Sequence, residues 1–375
     1  MIVIGIDVHK RTHTLVAINA HGRRLSARTI SADPAGHAAA LAWAQDLPTD
    51  PGDPGDPGEP GDPGEGPLWA VEDCRGFSLH LEADLLAAGA RVVRVPSKLM
   101  ARVRASARTP GKSDPIDALA VARAALREPD LPTAVHDPVT SELRILTDHR
   151  RDLVQRRTAV TNRIHHHLHL LDPSLASGLP ARGLHQPMHL TRLHDALRSR
   201  MRSHSSVLAE MLLDMLSEVT DLSLRITDLD AQLQERVRRH APALVEIPGC
   251  GVITAATIAS RAGDPTRFRD ADAFAMHTGT SPIPVWSGAT AGKVRVNRGG
   301  ERQLNAALHT IALTQARMPG PGRDYYLRKT AEGKTRREAL RCLKRHLARV
   351  VYQRLLLDHA TRTENPTGIN HTEAA

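Results

Sequence analysis

An α/β domain followed by a long, mostly α-helical remainder is the fold class this sequence predicts. Three observations carry it. Short runs rich in β-branched residues recur between residues 2 and 95, separated by turn signals and Ala/Leu-rich stretches. Beyond Pro138 the apolar residues recur instead at spacings of three and four. Carboxylates stand at the ends of the first and fourth predicted strands and at the start of the helix that ends the α/β part.

Residues 2–7 read as a buried strand ending in Asp7, and residues 14–19 and 24–30 as alternating strands with His21-Gly22 as the turn between them. Three such strands in succession predict an antiparallel meander. Residues 35–45 are alanine-rich and predict a helix. Residues 51–66 are a Gly-Asp-Pro low-complexity stretch with glycine every third position from 52 to 64. Its triplets are too few for a collagen-like triple helix, so it reads as an acidic linker inserted in a loop. The strand at residues 68–72 ends in Glu72, residues 77–88 predict a helix, and residues 91–95 another strand.

Asp114 and Asp117 lie three apart at the start of an Ala/Leu-rich helical run, so both carboxylates share one face. Local chemistry alone could explain them, with Asp114 as N-cap, Pro115 at N1 and Asp117 meeting the helix dipole. The order of strands and helices, with acids at those positions, predicts an RNase H-like domain in which Asp7, Glu72, Asp114 and Asp117 converge. Four clustered carboxylates repel one another unless hard cations neutralise them. Such a cage suits two Mg²⁺, or Mn²⁺, roughly 4 Å apart, activating a nucleophile and stabilising a leaving oxygen.

Arg94, Lys98, Arg102, Arg104, Arg108 and Lys112 precede the acidic pair with no acid among them. They read either as a solvated face or, better, as the groups that bring phosphates to the pair. Residues 141–171 predict an arginine-rich helix whose His165-His166-His167-Leu168-His169 run is a basic face rather than a metal site. Leu208, Leu212, Met215, Val219, Leu222, Ile226, Leu229 and Leu233 form a heptad stripe, which predicts a helical hairpin or a coiled coil between protomers. The segment Ile247-Pro248-Gly249-Cys250-Gly251 resembles a helix-hairpin-helix turn, in which Gly249 and Gly251 leave backbone N–H groups open to phosphate. Residues 268–274 predict a helix, Ser281 and Ser287 fall in a Pro/Gly-rich loop, and Lys293, Arg295 and Arg298 follow. Residues 303–316 and 323–349 predict further helices, the second basic, and residues 363–375 a disordered tail. The expected domains are thus 1–135, a helical linker at 138–240, and a C-terminal domain at 241–362.

With 375 residues the chain is long enough for more than one core, and a net charge of +9 fits a polyanionic partner. Three scattered cysteines without CxxC spacing argue against a zinc ribbon or disulfide framework and for a reducing compartment. No apolar run is long enough to span a membrane, and no signal peptide precedes the first strand. Aromatic residues make up only 2%, so phosphate contact is expected to outweigh base stacking.

Gly5-Ile6-Asp7-Val8-His9-Lys10, Val71-Glu72, Lys112-Ser113-Asp114-Pro115-Ile116-Asp117-Ala118, Ile247-Pro248-Gly249-Cys250-Gly251 and the Ser287-Gly288 segment together resemble a bacterial insertion-sequence transposase of the DEDD class. The resemblance covers nearly the whole chain. It implies a RuvC-like N-terminal domain, a C-terminal transposase domain with a catalytic serine, and an enzyme that excises and inserts its element. It also implies guidance by an element-encoded structured RNA, contact with element ends and target DNA, and dimers that pair into a tetrameric synapse. A cytoplasmic, nucleoid-associated protein is expected. Two features depart from the family pattern: the Gly-Asp-Pro insertion, and the loose stretch after Ser287 in place of a compact Ser-Gly-Gly. Ser281 and Ser287 both remain candidates, with Ser287 preferred. Two other readings stand beside this one: a metal-dependent, junction-resolvase-like endonuclease without a covalent serine step, and a non-catalytic nucleic-acid scaffold.

Overall fold

The computed structural model describes residues 1–48, 66–72, 76–96, 99–100, 113–128, 130–135, 137–180, 182–203 and 206–364. Lys98, Arg102, Arg104, Arg108, Lys112, residues 51–65 of the Gly-Asp-Pro insertion and residues 365–375 lie outside them. The chain forms two compact units, residues 1–136 and 137–375.

In the first unit, β1 (Val3–Val8), β2 (Thr12–Ile18) and β3 (Arg24–Ser31) make the expected antiparallel meander. The sheet then extends on the other side of β1 with β4 (Leu68–Glu72) and β5 (Val92–Val95), both parallel to it, giving the order β3-β2-β1-β4-β5. Helix α1 (Pro34–Gln45) links β3 to β4, and α2 (Leu79–Ala87) is the crossover between β4 and β5. Helix α3 (Asp114–Arg127) completes the unit. This mixed five-stranded order, antiparallel on one side and parallel on the other, is RNase H-like.

Every residue of β1 is buried, because a central strand covered on both faces needs a continuous apolar run. One face of the sheet, with Val3, Val16, Ile18, Ala70, Val93 and Val95, packs against Ala118, Val121, Ala122 and Ala125 of α3. The other face carries Ile4, Ile6, Leu15, Trp69 and Val71 against Ala40, Leu81 and Leu85 of α1 and α2.

The second unit is helical: α4 (Pro138–Leu171), α5 (Pro173–Ser177), α6 (Pro187–Ser203), α7 (Val207–His240), α8 (Pro242–Val245), α9 (Val252–Ala262), α10 (Ala271–His277), α11 (Arg302–Arg317), α12 (Pro321–Ala331) and α13 (Arg336–Glu364). Between α10 and α11, β6 (Ile283–Pro284) and β7 (Val294–Arg295) pair antiparallel as a short ribbon.

Helices α4 and α7 pack along each other, and this settles the use of the heptad stripe. Leu212, Val219, Leu222, Ile226, Leu229 and Leu233 are buried within this chain, with Leu216 rather than Met215 at the core position. Several arginines of α4 serve the same packing. Arg150 pairs with Asp230, Arg156 lies 2.7 Å from Glu218, and Arg157 donates to Ser223 Oγ at 3.2 Å.

Three local expectations change, one being that residues 323–349 are divided between α12 and α13 by a break at residues 332–335 that includes Gly333 at φ +85°. Helix α4 starts at Pro138, ahead of residue 141, because Asp137 caps it by accepting from the Val139 N–H at 3.0 Å. Residues 268–274 are not one helix. A 3-10 turn (Pro265–Arg267) comes first, and α10 starts only after Asp270, whose carboxylate accepts from the N–H groups of Asp272 and Ala273. Phe268 instead packs edge-on against Phe274. No helix among the described residues is long and apolar enough to cross a membrane.

Candidate active site

Strand alternation decides which way the first two acids face. Val3 and Gly5 lie on the α3 side of β1, whereas Ile4 and Ile6 lie on the other, so Asp7 falls on the α3 side. Ala70 and Glu72 repeat that pattern on the adjacent parallel strand, whose register pairs Ile6 with Val71. Helix α3 comes close because β1 carries a glycine beneath it. A Cβ on Gly5 would fall 2.2 Å from the Ala118 carbonyl oxygen and 2.4 Å from the Ala122 nitrogen. The first turn of α3 is thereby held over the end of β1, with Asp114 and Asp117 in it.

Asp7 and Asp117 are 6% and 7% exposed, while His9 and Asp114 are about half exposed. His9 Nε2 lies 3.2 Å from Asp7 Oδ2 and 3.4 Å from Asp114 Oδ1, and one donor atom from each of the three fits within 4.8 Å. Burial holds the Asp7 carboxyl above the usual range. His9 acts against that shift, and the charges of Asp117, Asp114 and Glu72 add to it. The other three predicted acids therefore each act on Asp7. A carboxylate-rich donor set that is partly desolvated and self-repelling fits a hard divalent cation, with Mg²⁺ and Mn²⁺ the natural candidates. His9 was not among the residues expected here. It follows directly after β1, two residues beyond Asp7, and that spacing alone does not mark it.

Local capping accounts for less of the acidic pair than its sequence suggests. Ser113, not Asp114, is the N-cap, with extended backbone at φ −155° and ψ 154°. Asp114 is then the first helical residue. Arg94 has a partner inside its own unit. Its Nε and terminal nitrogen donate to Glu82 Oε2 at 3.0 and 2.5 Å, and Glu82 is buried and also accepts from Ser78 Oγ at 2.6 Å.

In the second unit, Gly249 takes a left-handed φ of +82° in the turn between α8 and α9, and a Cβ there would meet Thr314 at 2.9 Å. Gly251 is the N-cap of α9, and nothing lies within 4 Å of the Cβ it lacks, so this end of the helix is open. Ser287 lies at the turn of the β6–β7 ribbon. Its N–H donates to Thr290 Oγ1 at 3.0 Å, and its carbonyl accepts from the Thr290 N–H at 3.1 Å. Lys293, Arg295 and Arg298 are exposed on the returning strand and just beyond it.

The ribbon leaves and rejoins the helical body at one pinch, where a Cβ on Gly300 would lie 2.2 Å from the Gly279 nitrogen. Asn305 Nδ2 donates to the Thr278 carbonyl at 2.8 Å, and the Glu301 N–H to the His277 carbonyl at 2.8 Å. Ser281 stays at this base, with its N–H on the Ala275 carbonyl at 3.1 Å. The sequence had suggested only a loop here, since strands of two residues are too short to show a period.

Residues 4–173 match a family described as Transposase, and residues 241–327 match one described as Transposase IS116/IS110/IS902 family. The 42 kDa protein of insertion element IS900 from Mycobacterium paratuberculosis is 30% identical, over 95% of this chain and 96% of that protein. The 44.8 kDa protein of insertion element IS116 from Streptomyces clavuligerus is 27% identical, over 94% of each. Among solved structures, T. thermophilus RuvC in complex with a Holliday junction substrate aligns over 36% of this chain and 99% of that one, at 15% identity and a TM-score of 0.25. Two transposase matches, one running from the first unit into the second and one within the second, together with a relative 30% identical along nearly its whole length, show that this chain belongs to the IS116/IS110/IS902 family of transposases.

Proposed function

We propose that this transposase excises and inserts an insertion-sequence element by exchanging DNA phosphodiesters, using Asp7, Glu72, Asp114 and Asp117 to hold divalent metal and Ser287 as nucleophile. The observation that carries the reading is the charge of Asp117, Asp114 and Glu72 acting on the buried Asp7 carboxyl where β1, β4 and α3 meet. A bound Mg²⁺ or Mn²⁺ pair would polarise the phosphate and lower the barrier to forming and breaking its P–O bonds. The carboxylates set where those cations sit, and the buried pair Asp7 and Asp117 exclude water from one side. Ser287 Oγ forms a bond to phosphorus as the bond from phosphorus to a DNA oxygen breaks; the serine gives up its proton, the displaced oxygen takes one up and leaves as a DNA hydroxyl, and a protein–DNA phosphodiester results. Lys293, Arg295 and Arg298 hold the phosphate, and the open end of α9 at Gly249-Cys250-Gly251 binds a second one in the manner of a helix-hairpin-helix.

Element ends and target are the DNA partners. A structured guide RNA chooses them, and copies of the chain assemble into a dimer and then a tetrameric synapse. The packing of α4 on α7 supports a rigid helical arm for that assembly. The resolvase reading is disfavoured because both matched families are transposases. The test is strand cleavage by Asp117→Ala in Mg²⁺, with folding confirmed by circular dichroism. Cleavage should vanish while DNA binding persists, and cleavage at the parental rate would reject the acid site. RNase-treated protein should lose target-specific recombination and keep non-specific DNA binding.

A further inference from the structure

We propose that Trp286 stacks on an unpaired base of the DNA strand whose phosphate meets Ser287, an inference that rests on the nucleic-acid reading of the β6–β7 ribbon. Aromatic residues are scarce here, three each of Trp, Tyr and Phe. Trp69 is buried in the first unit, and Phe268, Phe274 and Tyr352 pack on one another in the second. Trp286 is 54% exposed, with no ring contact among the described residues.

Its setting is also one-sided. The register pairs Ile283 with Arg295 and Pro284 with Val294, and the Val285 N–H donates to the Lys293 carbonyl at 2.9 Å. Alternation then puts Pro284, Trp286, Val294 and Val296 on one face and Ile283, Val285, Lys293 and Arg295 on the other. Val294 and Val296 are 54% and 53% exposed, so the Trp286 face is an apolar strip open to solvent.

Charge identifies the occupant. No acid occurs between Asp272 and Glu301, whereas Lys293, Arg295 and Arg298 lie in that interval. A ribbon with an exposed apolar, aromatic face and its cations Lys293 and Arg295 on the other face matches a nucleotide, whose base has a flat apolar surface and whose phosphate is anionic. Because Trp286 immediately precedes Ser287, the base it meets flanks the phosphate at the serine.

The experiment uses the full chain carrying Trp43→Phe to lower the fluorescence background. The probes are a mixed-sequence duplex with a short run of unpaired thymines, the same duplex fully paired, and a matched RNA. The unpaired DNA probe should quench tryptophan fluorescence. Trp286→Ala should abolish the quench and weaken binding to that probe about tenfold or more, the loss carried by one stacked base. Affinity for the fully paired duplex should hold, and Trp286→Phe should restore most of the loss. A quench that persists in Trp286→Ala, or unchanged affinity for the unpaired probe, would overturn the proposal. So would a variant that alters only the oligomeric state, or quenching by RNA with none by DNA. Ser287→Ala separates the two readings: it should leave the quench intact, so loss of the serine assignment would not remove the stacking result.

Discussion

Gly5 lies directly beneath Ala118: a Cβ on the glycine would come within 2.2 Å of the alanine's carbonyl oxygen. That oxygen belongs to helix backbone, so a methyl group at residue 5 cannot be accommodated by a side-chain rotation. Helix α3 would have to lift, carrying Asp114 and Asp117 away from Asp7. Gly5→Ala should therefore destabilise the protein by about 2 kcal/mol, within the range for overpacking a tight core. It should also lower strand cleavage more than the stability loss explains. Thermal unfolding and a cleavage assay at a temperature where the variant is fully folded check both parts. Full cleavage by a folded Gly5→Ala protein would mean that α3 is not held where the acids need it.

The raised Asp7 carboxyl implies strain that a cation relieves. Without divalent metal, Asp7→Asn should match or exceed the parent in stability, because it removes a buried charge facing three others. With metal the order should reverse. A ligand at a hundred times its dissociation constant stabilises the folded state by about 2.7 kcal/mol, and the asparagine variant should gain almost none of this. Differential scanning fluorimetry across a Mg²⁺ and Mn²⁺ titration reads the effect without requiring activity. Equal metal-dependent shifts in parent and variant would remove Asp7 from the ligand set.

The succession of strands and helices described in the first unit was legible in the sequence, as was the placing of Asp7, Glu72, Asp114 and Asp117 near the ends of β1 and β4 and in the first turn of α3. Each depends on local patterns: a continuous apolar run for β1, alternation in β2, and a proline-led helix start at Asp114-Pro115. His9 was not legible as part of the site, because a histidine two residues after an aspartate is common and gains meaning only when α3 brings Asp114 to the same ring. Arg94 illustrates the converse. Within a run of cations it looks available for phosphate, yet the buried carboxylate that accepts from it sits twelve residues away on α2. Ribbon strands two residues long, held by a pinch between Gly279 and Gly300, depend on a contact across twenty residues that no periodicity reports.

A buried histidine pair makes the first unit acid-sensitive. His13 and His37 stack with ring centroids 5.6 Å apart, and His37 Nδ1 lies 2.5 Å from Asp84 Oδ2. Burial first, and then the neighbouring histidines, push His13 down to about 4 from 6.5. The folded state thus keeps His13 neutral over a range in which the unfolded chain takes up a proton. The unfolded state binds more protons, so stability falls as pH drops from about 6.5 towards 4 and is fully present above that window. The loss from this group is about 3 kcal/mol at the lower end. Urea unfolding of parent and His13→Leu at several pH values isolates it. The difference between the two proteins should change across the window, and a constant difference would show that His13 does not titrate there.

Ser287 and Ser281 are separated by the ribbon's geometry rather than by the sequence around them. Ser281 is tied to the base, next to the pinch, with its N–H on the Ala275 carbonyl. Ser287 stands at the turn, exposed, with Lys293 and Arg295 following on the returning segment. A nucleophile must reach phosphorus in line with the leaving oxygen, and Ser287 at the exposed turn is more open to such an approach than the partly buried Ser281. A serine hydroxyl also needs activation and a charged clamp on the phosphate, and Lys293, Arg295 and Arg298 lie closer in sequence to Ser287 than to Ser281. Ser287→Ala should therefore abolish recombination and any covalent protein–DNA adduct, and Ser281→Ala should retain both. Ser287→Cys should keep a trace of adduct, because a thiolate is also nucleophilic. Denaturing gels with labelled DNA, followed by mass spectrometry of the adducted peptide, read the outcome directly. An adduct that survives Ser287→Ala, or maps to a peptide lacking residue 287, would transfer the chemistry to the acid site alone and restore the resolvase-like reading.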